Sequence, residues 1–160
     1  MKPVALGFTG TSHGTTRAQV TTLIGWLLPR APFIVAAHHG DCVDADDRFD
    51  LLCFALEIPR VIHPPLIDAK RAFCERRDYW GPAPIVLEPG PHLWRNHQIV
   101  DATGALVAMP RGPEELRSGT WATVRYARKL GRPIRFFWPD GSSTVERFSA
   151  SAAPAEPPRP

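Results

Sequence analysis

The sequence has few cysteines and no long apolar run. Its 160 residues include three cysteines, Cys42, Cys53 and Cys74, without a Cys-x-x-Cys pair. This odd and widely spaced set argues against a disulfide scaffold and predicts a reducing, cytoplasmic environment. No apolar stretch approaches the roughly 20 residues that span a bilayer, so no membrane association is expected. The start of the chain, Met1-Lys-Pro3, shows no secretory signal pattern.

The excess of one sign of charge over the other is also small. Lysine and arginine number 19 against 16 aspartates and glutamates, a formal net charge of +3. This modest excess argues against nucleic acid as a partner. Basic residues do cluster in two regions, 70–77 and 125–135. Each cluster fits a solvated helix face as well as a phosphate-binding surface.

The length predicts one domain, over residues 1–148. Prolines are abundant, and those in Pro154–Pro160 predict a disordered tail over 149–160. A second proline-flanked segment, Pro64–Pro84, is too long for a tight connection and contains Lys70, Tyr79 and Trp80. Long loops in compact domains are commonly functional, so we interpret this one as a lid over a ligand.

Apolar residues repeat at helical spacing in two segments and form short continuous runs between them. The two segments are Val20–Leu27 and Phe49–Leu56, where the i, i+3, i+4, i+7 pattern predicts helices. The runs Phe33–Ala37 and Gly104–Met109 are typical of strands covered on both faces. Strands that alternate with helices predict an α/β three-layer sandwich with a mostly parallel sheet of about six strands.

Three predicted strands are each followed by a glycine-containing loop and then a helix. These loops are Thr9–Thr16, His38–Asp41 and Pro110–Gly119. Parallel strands end at one edge of the sheet, so the three loops should converge. Unpaired N–H groups at a helix start attract phosphate. The sequence therefore predicts a phosphate-bearing ligand at this edge.

Candidate ligand-binding residues come from these loops and from an Arg-Asn pair further along the chain. Arg95 can fork onto a phosphate or carboxylate and Asn96 can read a base or ribose, although a salt bridge and a helix cap would also explain them. Ser118 or Thr120 would likewise serve as an ordinary helix cap without any ligand. The predicted ligand-binding set is Gly10, Thr11, Ser12, His39, Gly40, Asp41, Arg95, Asn96, Pro110, Gly119 and Thr120.

The segment His38–Asp47 is the densest polar cluster. Adjacent histidines at a strand end point to opposite faces and rarely share one ion, so neither a metal site nor a cofactor is predicted. Asp44, Asp46 and Asp47 fit the first turn of a helix, where carboxylates stabilise the dipole. We interpret Asp46 as an acceptor for a ribose hydroxyl or as an organiser of the Gly40 loop.

The motifs together resemble the SLOG superfamily of Rossmann-like nucleotide-binding domains. Gly7-Phe-Thr-Gly-Thr11, His39-Gly-Asp41 with Ala45-Asp46, Arg95-Asn96, and Pro110 through Gly119-Thr120 occur in the family's order, over about residues 3–138. The pattern is similar to YspA-like proteins and, more distantly, to the LOG phosphoribohydrolases and DNA-processing protein A. The resemblance implies a Rossmann-like fold, a nucleotide or nucleotide-derived ligand, and a homodimer.

Three departures from the family pattern bear on the site. The longer insertion Arg111–Ser118 replaces the tight PGG turn of LOG enzymes. LOG enzymes carry a catalytic glutamate in a PGGxGTxxE motif, and Thr123 stands at the matching position. Asp44 stands where relatives usually have glycine. One alternative function is that of a nucleoside 5′-monophosphate N-glycosidase. Its candidate catalytic residues are Asp46 and Glu115. A solvated loop position is the other interpretation of Glu115. Another is single-stranded DNA binding, as in DNA-processing protein A.

Overall fold

The structure is a computed structural model that describes residues 2–76 and 82–148. The predicted tail over 149–160 lies outside the described residues, as do Tyr79 and Trp80 of the predicted lid. Among the described helices, none combines the length and apolar composition that crossing a membrane requires.

One seven-stranded sheet forms the centre of the fold, in the order β4-β3-β2-β1-β5-β6-β7. All neighbouring pairs are parallel except β6 and β7. The strands are β1 Val4–Gly10, β2 Ile34–His39, β3 Arg60–Ile62, β4 Ile85–Val86, β5 Ala105–Met109, β6 Ile134–Phe137 and β7 Ser143–Glu146. The helices are α1 Arg17–Leu27, α2 Ala45–Ala55, α3 His92–Asp101 and α4 Gly119–Lys129. The predicted α/β sandwich is confirmed, and the sheet has one strand more than the predicted six.

Apolar residues cover both faces of the sheet. One core layer packs α1 and α2 on the sheet, where the Phe8 and Phe49 rings stack with centroids 4.2 Å apart. The other packs α4 on the opposite face through Trp121 and Phe136. Residues of β5 alternate between the two layers, because successive side chains of a strand point to opposite faces. This explains why β5 is a continuous apolar run.

Side-chain hydrogen bonds fix the ends of the elements at the carboxyl edge of the sheet. Thr16 Oγ1 accepts from Gln19 N (3.1 Å) and Gln19 Oε1 accepts from Thr16 N (3.0 Å), a reciprocal cap at the start of α1. The fully buried Gln19 also donates through Nε2 to the carbonyl oxygens of Pro110 (2.8 Å) and Phe137 (2.9 Å). The start of α1 therefore holds the end of β5 and the end of β6 in place.

Candidate functional site

The loops after β1, β2 and β5 enclose a cavity of about 510 Å³ at the carboxyl edge of the sheet. These strands are neighbours in the sheet, so the three loops converge as the sequence predicts. One face of α3 forms a further wall. The cavity is lined by ten of the predicted residues: Gly10, Thr11, Ser12, Gly40, Asp46, Arg95, Asn96, Glu115, Gly119 and Thr120. We call it the loop cavity.

Three predicted ligand residues lie behind the wall of the loop cavity instead. His39 is fully buried, and its Nε2 lies 3.1 Å from Asp50 Oδ1. The Asp41 carboxylate is also fully buried and accepts from Arg71 Nε at 2.7 Å. Pro110 is buried, with its carbonyl oxygen bound to Gln19. In this arrangement the three residues support the loops from behind.

Two buried charges hold the Gly40 loop. Asp46 Oδ2 accepts from the backbone N–H groups of Gly40 (3.0 Å) and Cys42 (3.1 Å). Arg95 Nη1 donates to the Gly40 carbonyl oxygen and, at 3.2 Å, to that of His63. Burial raises the pKa of the Asp46 carboxyl, while the nearby charges of His39 and Arg95 and the Cys42 N–H oppose the rise. Asp46 therefore makes the contacts expected of an organiser of the Gly40 loop, one of the two roles that the sequence suggests for it.

Arg95 is only 2% exposed, and both of its terminal nitrogens contact other atoms of this chain. Its Nη2 lies 3.1 Å from Cys42 Sγ and 3.0 Å from His92 Nδ1. Its Nε is buried and has no hydrogen-bond partner among the described residues. Burial raises the pKa of the Cys42 thiol to about 11, so this side chain is a neutral wall of the loop cavity. The Arg-Asn pair lies within α3, so the helix-cap alternative for it is wrong.

The start of α4 presents free backbone N–H groups to the loop cavity. Ser118 is the N-cap, and its Oγ accepts from Trp121 N at 3.4 Å. Gly119 and Thr120 follow it and line the cavity, and within the described residues no acceptor binds their N–H groups. These are the groups that a phosphate takes at a helix start. Asn96 Nδ2 approaches the same turn, 3.5 Å from the Gly119 carbonyl oxygen.

Thr123 does not take the place of the catalytic glutamate of LOG enzymes. The side chain is 1% exposed, and its hydroxyl donates to the Gly119 carbonyl oxygen at 2.9 Å. It is not among the residues that line the loop cavity. The position is therefore a structural one within α4 of this chain.

The loop cavity carries an excess of positive charge. Its charged lining comprises the cations Lys70, Arg95, Arg111 and Arg117 and the acids Asp46 and Glu115. Arg111 Nη2 pairs with Glu115 Oε2 at 3.1 Å, and Arg111 Nη1 lies 2.7 Å from His13 Nε2 on the first loop. Within the described part of the chain, neither Lys70 nor Arg117 has an acidic partner. Such a surface attracts anions.

Arg117 and His92 line the loop cavity although no motif marks them. Arg117 is a single arginine in the insertion after β5, and nothing in its sequence context distinguishes it from a solvated side chain. His92 is the first residue of α3. Burial and then the charges of Arg95 and Lys70 lower its pKa, which favours the neutral ring. The one sequence signal that could have identified Arg117 is its position as a basic residue in a loop that follows a parallel strand. His92 has no such signal.

The polar cluster that begins at the end of β2 divides between the two faces of the sheet. His38 Nδ1 lies 3.0 Å from His63 Nε2 on the α3 side, whereas His39 meets Asp50 on the α2 side. In the part of the chain that the structure describes, one group of three possible metal ligands lies close together, namely His39, Asp50 and Cys74, within 4.8 Å of one another. The Asp50 carboxylate there is already paired with the Arg60 guanidinium at 3.1 Å.

Asp44 has a backbone conformation that favours glycine, with a φ of 69°. Its carboxylate accepts from Thr15 N at 2.9 Å and pairs with Arg48 Nε at 3.0 Å. The aspartate thus ties the first loop to the start of α2, which a glycine cannot do.

The described part of the predicted lid packs against the Gly40 loop. Val43 N donates to the Lys70 carbonyl oxygen (3.2 Å), and Ala72 N donates to that of Asp41 (2.8 Å). Ala69 and Lys70 line the loop cavity as a result. The segment is therefore a wall of the cavity, and its opening and closing stay a prediction.

No family model and no curated protein matches the chain. Solved structures do match. The molybdenum cofactor binding protein of Rippkaea orientalis has a TM-score of 0.64 at 16% identity, over 86% of this chain and 77% of that one. The Moco carrier protein of Chlamydomonas reinhardtii has a TM-score of 0.57 at 19% identity, over 85% and 76%.

DNA processing protein A of Streptococcus pneumoniae is similar over a smaller share of its own length. The TM-score is 0.64 at 15% identity, over 83% of this chain and 49% of that one, so the chain spans about half of it. Identities this low establish the fold alone. The chain has a Rossmann-like fold, with a mostly parallel sheet between layers of helices.

Proposed function

We propose that the loop cavity binds a nucleotide or a nucleotide-derived small molecule, with a phosphate of the ligand at the start of α4. The observation that carries this proposal is the pair of N–H groups at Gly119 and Thr120, which no acceptor of the described residues binds. The same cavity contains Lys70 and Arg117, which have no acidic partner in the part of the chain that the structure describes. Backbone N–H groups and the helix dipole favour an anion there. A volume of about 510 Å³ is within the range of sites that bind small molecules.

Two of the similar structures support a small-molecule ligand. By name, one is a molybdenum cofactor binding protein and the other is a Moco carrier protein. Each is similar to more than four fifths of this chain. The ligand class of this chain is therefore best sought among nucleotides and cofactors of similar size.

The first experiment is native mass spectrometry of the purified protein, followed by denaturing extraction and identification of any released small molecule and of any molybdenum. Calorimetric titration with AMP, ADP-ribose and NAD follows. We expect Arg117→Gln to weaken binding about tenfold, since a hydrogen bond to a charged group contributes about 1.5–3 kcal/mol. Lys129→Gln, which removes the same charge from an exposed site on α4, is the matched control. Equal losses in both variants, or no binding at millimolar ligand, would contradict the proposal.

Nucleotide N-glycoside hydrolysis is a second candidate because Glu115 lines the loop cavity beside Arg111. A carboxylate there can stabilise the positive charge that develops on the sugar as the base leaves. Release of free base from nucleoside monophosphates tests this activity. Glu115→Gln should abolish the release, whereas Glu114→Gln should not, because Glu114 pairs instead with Arg125 and Arg128. No base release by the unaltered protein limits the function to binding.

The homodimer that the family resemblance implies is part of the same proposal. Leu93 and Trp94, side by side on α3, are 61% and 49% exposed. Light scattering on the purified protein should give twice the monomer mass, and a monomer mass at micromolar protein would contradict the dimer.

A further inference from the structure

A second and smaller cavity lies at the opposite edge of the sheet. Its volume is about 250 Å³, and it is formed between the end of α1 and the amino ends of β5 and β6. It shares no lining residue with the loop cavity. Its polar side chains are those of Trp26, Arg30, Arg135 and Arg147. We call it the arginine cavity.

Two of the arginines lie over the same tryptophan ring. The guanidinium carbon of Arg30 is 4.8 Å from the ring centroid of Trp26, and that of Arg135 is 5.5 Å from it. Arg147 directly follows β7 and lines the same cavity. Arg135 pairs with Val145 across the β6–β7 ladder, so these two side chains share a face of the sheet, and both line the cavity. The three guanidinium groups therefore converge on one side of the sheet.

Within residues 2–76 and 82–148, no acid neutralises this group of cations. Among the residues that the structure describes, none of the three arginines forms an ion pair with a carboxylate. Arg128, on the other face, shows the contrast, because it pairs with both Glu114 and Glu146. Burial and the positive charges of Arg30 and Arg147 lower the pKa of Arg135. Cations gathered in this way repel one another, and a bound anion would relieve the repulsion.

We propose that the arginine cavity is a binding site for a small phosphate-bearing polyanion. Guanidinium groups recognise phosphate by paired hydrogen bonds, and three of them suit more than one negative charge. The volume of about 250 Å³ is below the roughly 300–1,000 Å³ of sites for drug-sized ligands, which favours an ion of the size of pyrophosphate over a whole nucleotide. The site is separate from the proposed nucleotide site, so either proposal can fail without the other.

Two-dimensional ¹H–¹⁵N NMR with sodium pyrophosphate as the probe tests this site. We expect saturable shifts at the indole N–H of Trp26 and at the amides of Ala105 and Ile134. Arg147 is exposed, so Arg147→Gln should keep the fold and weaken the affinity read at these signals about tenfold. Arg30→Gln is a second variant with the same expected direction. Lys129→Gln, which removes an equal charge elsewhere, should leave the affinity unchanged.

Three results would overturn the proposal. Shifts confined to Gly119 and Thr120 would mean that pyrophosphate binds in the loop cavity only. An equal loss of affinity in Lys129→Gln would mean that the protein attracts the anion through its net charge. Shifts that grow without saturation would show an adventitious ion only. A parallel titration with AMP, read at Gly119 and Thr120, reports on the proposed nucleotide site independently.

Discussion

At Gly40 both polar groups of one residue are held by buried charges. Its N–H is bound by Asp46 and its carbonyl oxygen by Arg95. A Cβ at this position would collide with the Arg95 guanidinium and would lie 3.0 Å from Asp46 Oδ2. The absence of a side chain thus lets an anion and a cation bind the two peptide groups on either side of the Gly40 Cα, which fixes the loop that walls the cavity.

Gly40→Ala should therefore destabilise the protein. The added methyl group must displace Arg95 or the loop, and overpacking of this kind costs about 1–3 kcal/mol in the free energy of unfolding. Gly112→Ala is the matched control, because a Cβ there has no atom within 4 Å. Urea unfolding measures both. An equal free energy of unfolding in the two variants would contradict this prediction, because it would mean that the Gly40 loop accommodates the methyl group without loss of stability.

At the scale of the element, α1 contains a glycine that no contact explains. Gly25 is exposed near the end of Arg17–Leu27, and a Cβ there would also have no atom within 4 Å. Glycine in a helix costs roughly 0.5–1 kcal/mol relative to alanine because the unfolded chain has more freedom to lose.

Gly25→Ala should accordingly raise the free energy of unfolding by about 0.5–1 kcal/mol. Gly7→Ala, in β1, should have the opposite effect, since its Cβ would lie 2.8 Å from Thr103 Oγ1. Chemical unfolding of both variants under one set of conditions checks the two signs. A loss of stability in Gly25→Ala would mean that α1 needs this glycine for a reason outside the helix.

The elements differ in how far the sequence predicts them, and the difference follows from burial. Because both of its faces are apolar, the strand β5 is predicted over Gly104–Met109 and observed one residue shorter, over Ala105–Met109. The edge strand β7 is missed, because Ser143–Glu146 is short, polar and largely exposed. Its pairing with β6 is a tertiary contact, which leaves no periodic pattern in the sequence.

The same reasoning applies to the site. The three loops are predictable because strand order places their ends together, whereas the direction of each side chain is not. His39 and Asp41 belong to the right loop, but His39 turns toward Asp50 and Asp41 adopts a φ of 56° with its carboxylate toward Arg71. These partners come from α2 and from the segment after β3. Only the folded chain brings them near.

At the scale of the whole molecule, β2 and β3 bring together two histidines that are 25 positions apart. His38 Nδ1 and His63 Nε2 share one hydrogen bond of 3.0 Å, which requires an acceptor nitrogen on one of the two rings. Burial, and next the charge of His38, lower the pKa of His63 to about 4, and burial and the charge of His39 lower that of His38. The backbone oxygen of His63 also accepts from Arg95, which links this pair to the Gly40 loop.

This pair should make the protein less stable as the pH falls from about 6.5 to about 4. An unfolded histidine titrates near 6.5, so in this range the unfolded chain binds protons that the folded pair refuses. Above pH 7 both states are neutral and the pair adds no pH dependence. Below about pH 4 the folded pair also binds protons, and the loss levels off, at a total on the order of 3 kcal/mol for His63. Urea unfolding at a series of pH values measures the slope. His63→Gln should flatten this slope. His13→Gln, at an exposed loop position, is the control and should leave the slope unchanged. An unchanged slope in His63→Gln would assign the acid sensitivity to other groups.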